Sequence, residues 1–120
     1  MDYNTNKRNT ILIVDDSEMN RSILADILED EFNILEAENG TEAIKILQKH
    51  NIEISLVLLD IVMPEMDGFE VLAIMNKYHW IEDTPVVMIS AETASKYIFS
   101  IIHSPILFHR LLLGKVFPYK

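Results

Sequence analysis

With 120 residues, 49% of them apolar, the chain is long enough for one domain with its own core and too apolar to stay disordered. It contains no cysteine, which excludes disulfide bridges and thiolate-ligated metals. A net charge of −9 argues against non-specific nucleic-acid binding, which needs a basic surface, although an acidic surface is often only a means of solubility.

The charge is unevenly spread. All 19 acidic residues lie at or before Glu92, and the remainder carries only Lys96, Arg110, Lys115 and Lys120 as fixed charges. The polar stretch Met1–Thr10 has no apolar run and does not read as a secretory signal. Ile11-Leu12-Ile13-Val14 then forms a short apolar run, as in a parallel strand buried on both faces, and ends at Asp15-Asp16. Ser17 is placed to cap a helix in which Met19, Ile23, Ile27 and Leu28 recur at helical spacing up to Asp30.

Phe32–Ala37 reads as a second strand, Asn39-Gly40 as a turn, and Thr41–Lys49 as a helix with Ala43, Ile44 and Leu47 inward. A third strand, Ile54–Leu59, stops at Asp60. A loop with Pro64 and Gly68 leads to a helix from about Gly68 to Tyr78 carrying Phe69, Leu72, Ala73 and Met75. Pro85 opens a fourth strand, Val86-Val87-Met88-Ile89, which ends at Ser90. Strand and helix alternate, so parallel βαβ units are the economical architecture.

Three of these strands end on residues capable of chemistry: Asp15 with Asp16, Asp60, and Ser90. Open parallel sheets bind ligands outside the carboxyl ends of their strands. Strands one, three and four side by side would bring these groups to one rim. Clustered carboxylates resist joint ionisation unless a cation neutralises them, and oxygen-only ligands suit Mg²⁺, with Mn²⁺ as a substitute. Asp60, on the most apolar strand, is placed to attack a phosphoryl group, with Ser90 offering a hydroxyl to a phosphoryl oxygen. Each residue alone has a plainer reading: Asp15 or Asp16 as a helix cap, Asp60 as a turn residue, Ser90 as the cap of a following helix. Their occurrence together at three strand ends favours the site.

At these positions the chain resembles the response-regulator receiver family of two-component signalling. The resemblance rests on Ile11–Ser17, on Leu58–Gly68 with its Asp60-x-x-Met63-Pro64-x-x-x-Gly68 pattern, and on Pro85–Ala91. It covers residues 9–96 of a single domain, 1–120, and leaves an atypical apolar tail at 97–120. The resemblance implies a flavodoxin-like α/β fold with sheet order 2-1-3-4-5, an order for which a receiver protein is a standard example. It also implies phosphoryl transfer to Asp60 from a histidine kinase or histidine phosphotransfer protein. Asp15, Asp16, Asp60 and the Val62 backbone carbonyl would hold Mg²⁺, and Ser90 would act as the switch hydroxyl. Met63-Pro64 and Gly68 would shape the loop after Asp60. Such a domain is a phosphoacceptor in a cytoplasmic phosphorelay and not an enzyme beyond self-phosphorylation and slow self-dephosphorylation.

The tail departs from the family pattern. Tyr97–His103 fits a short fourth helix that Pro105 would stop. Ile106–Phe108 or Leu111–Leu113 fits a fifth strand, but neither is followed by Lys-Pro, and no residues remain for a fifth helix. Lys115 is the lysine placed to contact a phosphate there, with a solvated terminal lysine as the alternative. The tail reads either as an altered or out-of-frame end of an ordinary receiver or as a divergent end that buries itself against a partner or a second copy. Because a missing helix would expose an apolar face, self-association, as a homodimer through the tail, is expected. Tyr97–Phe117 is long enough to span a membrane, but Arg110 near its middle would cost roughly 2.5–3.5 kcal/mol. No span is expected, nor a zinc site from His103 and His109, which lack helical ligand spacing. The rival to a working switch is a receiver-like interaction module that binds a partner or itself through the tail. An aspartate-nucleophile phosphatase fits poorly, because Asp15-Asp16 lacks the Asp-x-Asp spacing.

Overall fold

The β-branched and leucine-rich runs become strands, and the capped segments between them become helices. The computed structural model describes residues 8–90 together with Ile98, Ser100 and His103. In chain order the elements are β1 (Thr10–Val14), α1 (Glu18–Leu28), β2 (Asn33–Ala37), α2 (Gly40–His50), β3 (Ile54–Asp60), α3 (Gly68–Lys77) and β4 (Val86–Ile89), with a 3₁₀ turn at Trp80–Glu82 before β4. All strand pairings are parallel and the order is β2-β1-β3-β4. This is the flavodoxin-like arrangement.

Each of α1, α2 and α3 begins on a side chain that satisfies an otherwise orphaned backbone donor. Ser17 Oγ accepts from the Asn20 N–H at 3.2 Å, and Asn39 Oδ1 from the Glu42 N–H at 2.7 Å. Asp67 and Glu70 form a reciprocal capping box at 2.9 Å in each direction.

Strand alternation divides the core into two layers. Ile11, Ile13, Leu56 and Leu58 pack on one side with Leu24 and Leu28 of α1. Leu12, Val14, Val57 and Leu59 pack on the other with Ala43 and Leu47 of α2 and Val71 and Met75 of α3. Ile54 joins this second layer although it is spaced by two from Leu56, because the register shifts between Thr10 and Ile11. Every β1 and β3 residue named here is buried, each contributing about 1.5–3 kcal/mol relative to exposure.

The helical periods hold, but the buried faces are set by the sheet. In α1 the core residues are Leu24 and Leu28, while Met19, Ile23 and Ile27 are exposed. In α3 they are Gly68, Val71 and Met75, and Phe69 faces solvent. Beyond β4, Ile98 and Ser100 are helical, in keeping with a short helix there. Ile98 is fully buried in the α1-side layer, and His103 Nε2 lies 3.1 Å from Glu31 Oε1 in the α1–β2 turn. The fifth-strand candidates, Lys115 and the tail-mediated dimer concern positions outside the described residues. Among the described residues no helix is long and apolar enough to cross a membrane.

Candidate phosphoacceptor site

The strand registers bring the acidic residues together. Val14 stands opposite both Ala37 and Leu59, and Asp60 opposite Ile89. Asp15, the next residue after Val14, therefore lies beside Asp60, and Ser90 follows one step past the partner of Asp60. One carboxylate oxygen from each of Asp15, Asp16 and Asp60 lies within 4.8 Å of the others. Asp15 and Asp60 are buried, and Asp16 is exposed.

Asp15 is held firmly. Its N–H donates to the Ala37 carbonyl at 3.1 Å, extending the β1–β2 ladder by one bond. Its Oδ1 accepts from the Ser17 N–H at 2.9 Å, and its carbonyl accepts from Arg21 Nη1 at 2.7 Å. The remaining oxygen, Oδ2, is buried without a hydrogen-bond partner. An orphaned carboxylate oxygen beside two more carboxylates is costly without a cation. A hard cation with oxygen ligands fits that donor set, and Mg²⁺ or Mn²⁺ has the right chemistry.

Asp60 Oδ1 accepts from the Val62 N–H at 3.3 Å. Burial first, and then the negative charge of Asp15, push the Asp60 carboxyl up from 3.8 to about 6. Burial also raises Asp15, reinforced by Asp16 and opposed by the Ser17 N–H. Burial and mutual repulsion thus disfavour the charged forms of Asp15 and Asp60 together, and a positive ion between them would relieve both.

The loop after Asp60 is built tightly against it. A methyl group at Gly68 would collide with the Asp60 carbonyl oxygen and come within 3.0 Å of the Ile61 Cα. Both are backbone and cannot swing aside, so this position needs glycine. The Gly68 N–H donates to the Ile61 carbonyl at 2.9 Å, closing the loop that contains Met63 and Pro64. Met63 is buried in the α2–α3 layer and anchors that loop, whereas Val62 is exposed. Glu65 bridges Pro64 and Met66 with φ of 69°, and the Met66 N–H donates to the Pro64 carbonyl at 2.8 Å.

One participant belongs to none of the three motifs. Arg21 connects the Asp15 carbonyl to the Glu36 carboxylate, with Nε 3.0 Å from Glu36 Oε1. Helical side chains lean toward the N-terminus, so an arginine one turn beyond Ser17 covers the β1–α1 turn. That geometric rule was the only available pointer.

A family model described as the response regulator receiver domain matches residues 11–105. The chain belongs to that family. The match runs past Lys96, so the family likeness reaches further than the three motifs. The receiver is 51% identical over 61 residues to the chemotaxis protein CheY of Halobacterium salinarum, covering 50% of this chain and 49% of that one. It resembles a chain of the CheX–CheY–BeF3–Mg²⁺ complex from Borrelia burgdorferi at 33% identity, with a TM-score of 0.65 over 94% of this chain and 77% of that chain. A similar likeness, 33% identity and a TM-score of 0.62, links it to the response regulator TrrA of Thermotoga maritima in complex with Mg²⁺–BeF, covering 82% and 77% of the two chains. The match spans about half or less of the length of the curated relatives. The receiver thus carries the acidic pocket typical of a phosphoacceptor site, and its family is a phosphoacceptor module of two-component signalling rather than an enzyme.

Proposed function

We propose that this receiver accepts a phosphoryl group on Asp60 from the phosphohistidine of a histidine kinase or phosphotransfer protein, in a Mg²⁺-dependent reaction, and switches conformation in response. The observation that carries the reading is the convergence of Asp15, Asp16 and Asp60 around a buried, unpartnered Asp15 Oδ2. Asp15, Asp16, Asp60 and the Val62 carbonyl would hold the ion. When bound, it supplies positive charge that offsets the negative charge on the transferring oxygens.

Asp60 does the bond-making. With the cation offsetting the neighbouring negative charges its carboxylate is ionised, and one oxygen attacks phosphorus. The new O–P bond forms as the P–N bond breaks, and the departing imidazole keeps the electron pair and takes up a proton. Phosphorylation replaces the single carboxylate charge of Asp60 with a phosphoryl group carrying about −1.5 to −2, so the rim becomes more negative and gains three strong acceptor oxygens. The Ser90 hydroxyl, one residue past the register partner of Asp60, then donates to a phosphoryl oxygen. Lys115 would add a cationic contact in the same role.

The donor's approach is favoured by α1. Met19, Ile23 and Ile27 recur every four residues as an exposed apolar stripe that begins two residues past the Ser17 cap. Such a stripe beside the acidic rim suits the face of a helical donor protein. The test is incubation with Mg²⁺ and acetyl phosphate followed by intact-protein mass measurement. Wild type is expected to gain one phosphoryl group, and Asp60→Asn none. A folded wild-type chain that stays unlabelled at saturating Mg²⁺ refutes the reading.

A further inference from the structure

We propose that Arg21 is a positioning residue of the acidic site, fixing the main chain at Asp15 so that the carboxylate presents its unpartnered oxygen to a bound divalent cation. The proposal rests on the reading of Asp15, Asp16 and Asp60 as a cation site. Asp15 is held at three points: its N–H on Ala37 of β2, its Oδ1 on the Ser17 N–H, and its carbonyl on Arg21. Arg21 also reaches Glu36, the neighbour of Ala37 on β2. A closed ring results, running from Asp15 to β2, across to α1 through Arg21, and back to Asp15. Without the arginine Asp15 keeps only two of these three tethers, and its carbonyl loses the one that ties it to α1.

An exposed Arg–Glu pair would deserve little weight, because such pairs contribute almost nothing. Arg21 differs in that its side chain is only 11% exposed and one arm ends on a backbone carbonyl. Two opposite effects on cation binding follow. Ordering of Asp15 favours the ion, whereas a guanidinium beside the site repels it. Glu36 neutralises that charge at 3.0 Å, so ordering should dominate. The sign of the effect on affinity therefore separates positioning from plain electrostatics.

The experiment is Mg²⁺ titration calorimetry on wild type, Arg21→Ala and Arg21→Lys, with metal-free melting temperatures measured alongside. Loss of an outer-shell partner typically weakens metal binding about 10-fold or more, and that is expected for Arg21→Ala. Arg21→Lys keeps the charge but not the planar fork that serves both acceptors, and is expected to recover part of the affinity. A merely structural arginine would lower the melting temperature and leave the Mg²⁺ dissociation constant unmoved. Unchanged or tighter binding by the folded variants overturns the proposal, and Arg21→Lys decides alone if Arg21→Ala does not fold. A folded wild type with no saturable Mg²⁺ binding would sink the site reading itself, a result distinct from equal affinities across the series.

Discussion

Asp60 illustrates how a site residue costs the fold that carries it. Its carboxyl is raised to about 6 by burial and by Asp15, against 3.8 in an unfolded chain. Between those values the folded state holds a proton that the unfolded state releases. In metal-free protein this contribution favours folding below about pH 4 and is lost as pH rises through 6. Asp60→Asn should therefore stabilise the metal-free receiver at pH 8 by roughly 1–3 kcal/mol, with the advantage shrinking toward pH 4. Urea midpoints in chelator across that range check the slope, and saturating Mg²⁺ should narrow the gap. Gly68 makes the opposite point, since its value is the side chain it lacks. Gly68→Ala forces a methyl against the backbone of Asp60 and Ile61, and should cost about 1–3 kcal/mol while slowing labelling by acetyl phosphate. The acidic residues were legible because each ends a strand. Gly68 was legible only as part of a loop pattern, and Arg21 only as an arginine one turn past the cap; its acceptors at positions 15 and 36 could not be read, because they meet only after β2 pairs with β1.

At the scale of elements, period was easier to read than phase. Apolar residues occupy two faces of α1, so the spacing of Met19, Ile23, Ile27 and Leu28 announces a helix without saying which stripe the sheet will cover. The structure buries Leu24 and Leu28 and leaves the other three exposed. Leu28→Ala should cost about 2–5 kcal/mol, and Met19→Ala well under 1 kcal/mol. Ile23→Ser should instead slow phosphoryl transfer from a protein donor several-fold while sparing labelling by acetyl phosphate, which needs no docking surface. Parallel kinetics with the two donors make that distinction. Equal slowing with both would remove α1 from the docking face. The strands needed no such arbitration, because β1 and β3 are apolar on both faces and can only lie inside a sheet covered on both sides.

Across the whole molecule, parallel crossovers allow several strand orders, and it is the observed order 2-1-3-4, the one the family resemblance implies, that puts β1 and β3 side by side with their acidic ends at one rim. The change of composition after Glu92 marks where local patterns stop being informative. Ile98 nonetheless belongs to the α1-side layer with Ile11, Leu24 and Leu58. Such a long-range partnership leaves no trace in local periodicity. Ile98→Ala should accordingly destabilise the receiver by about 2–4 kcal/mol, measured by urea unfolding, despite lying outside every motif. Phosphoryl transfer to Asp60 requires that Asp15, Asp16 and Asp60 share one ion. Anomalous diffraction from crystals soaked in Mn²⁺ addresses this directly. The predicted result is a single strong peak bounded by these carboxylates, with at least one oxygen of Asp60 in its coordination sphere. A peak elsewhere, or an Asp60 side chain turned out of reach of the ion, would contradict it.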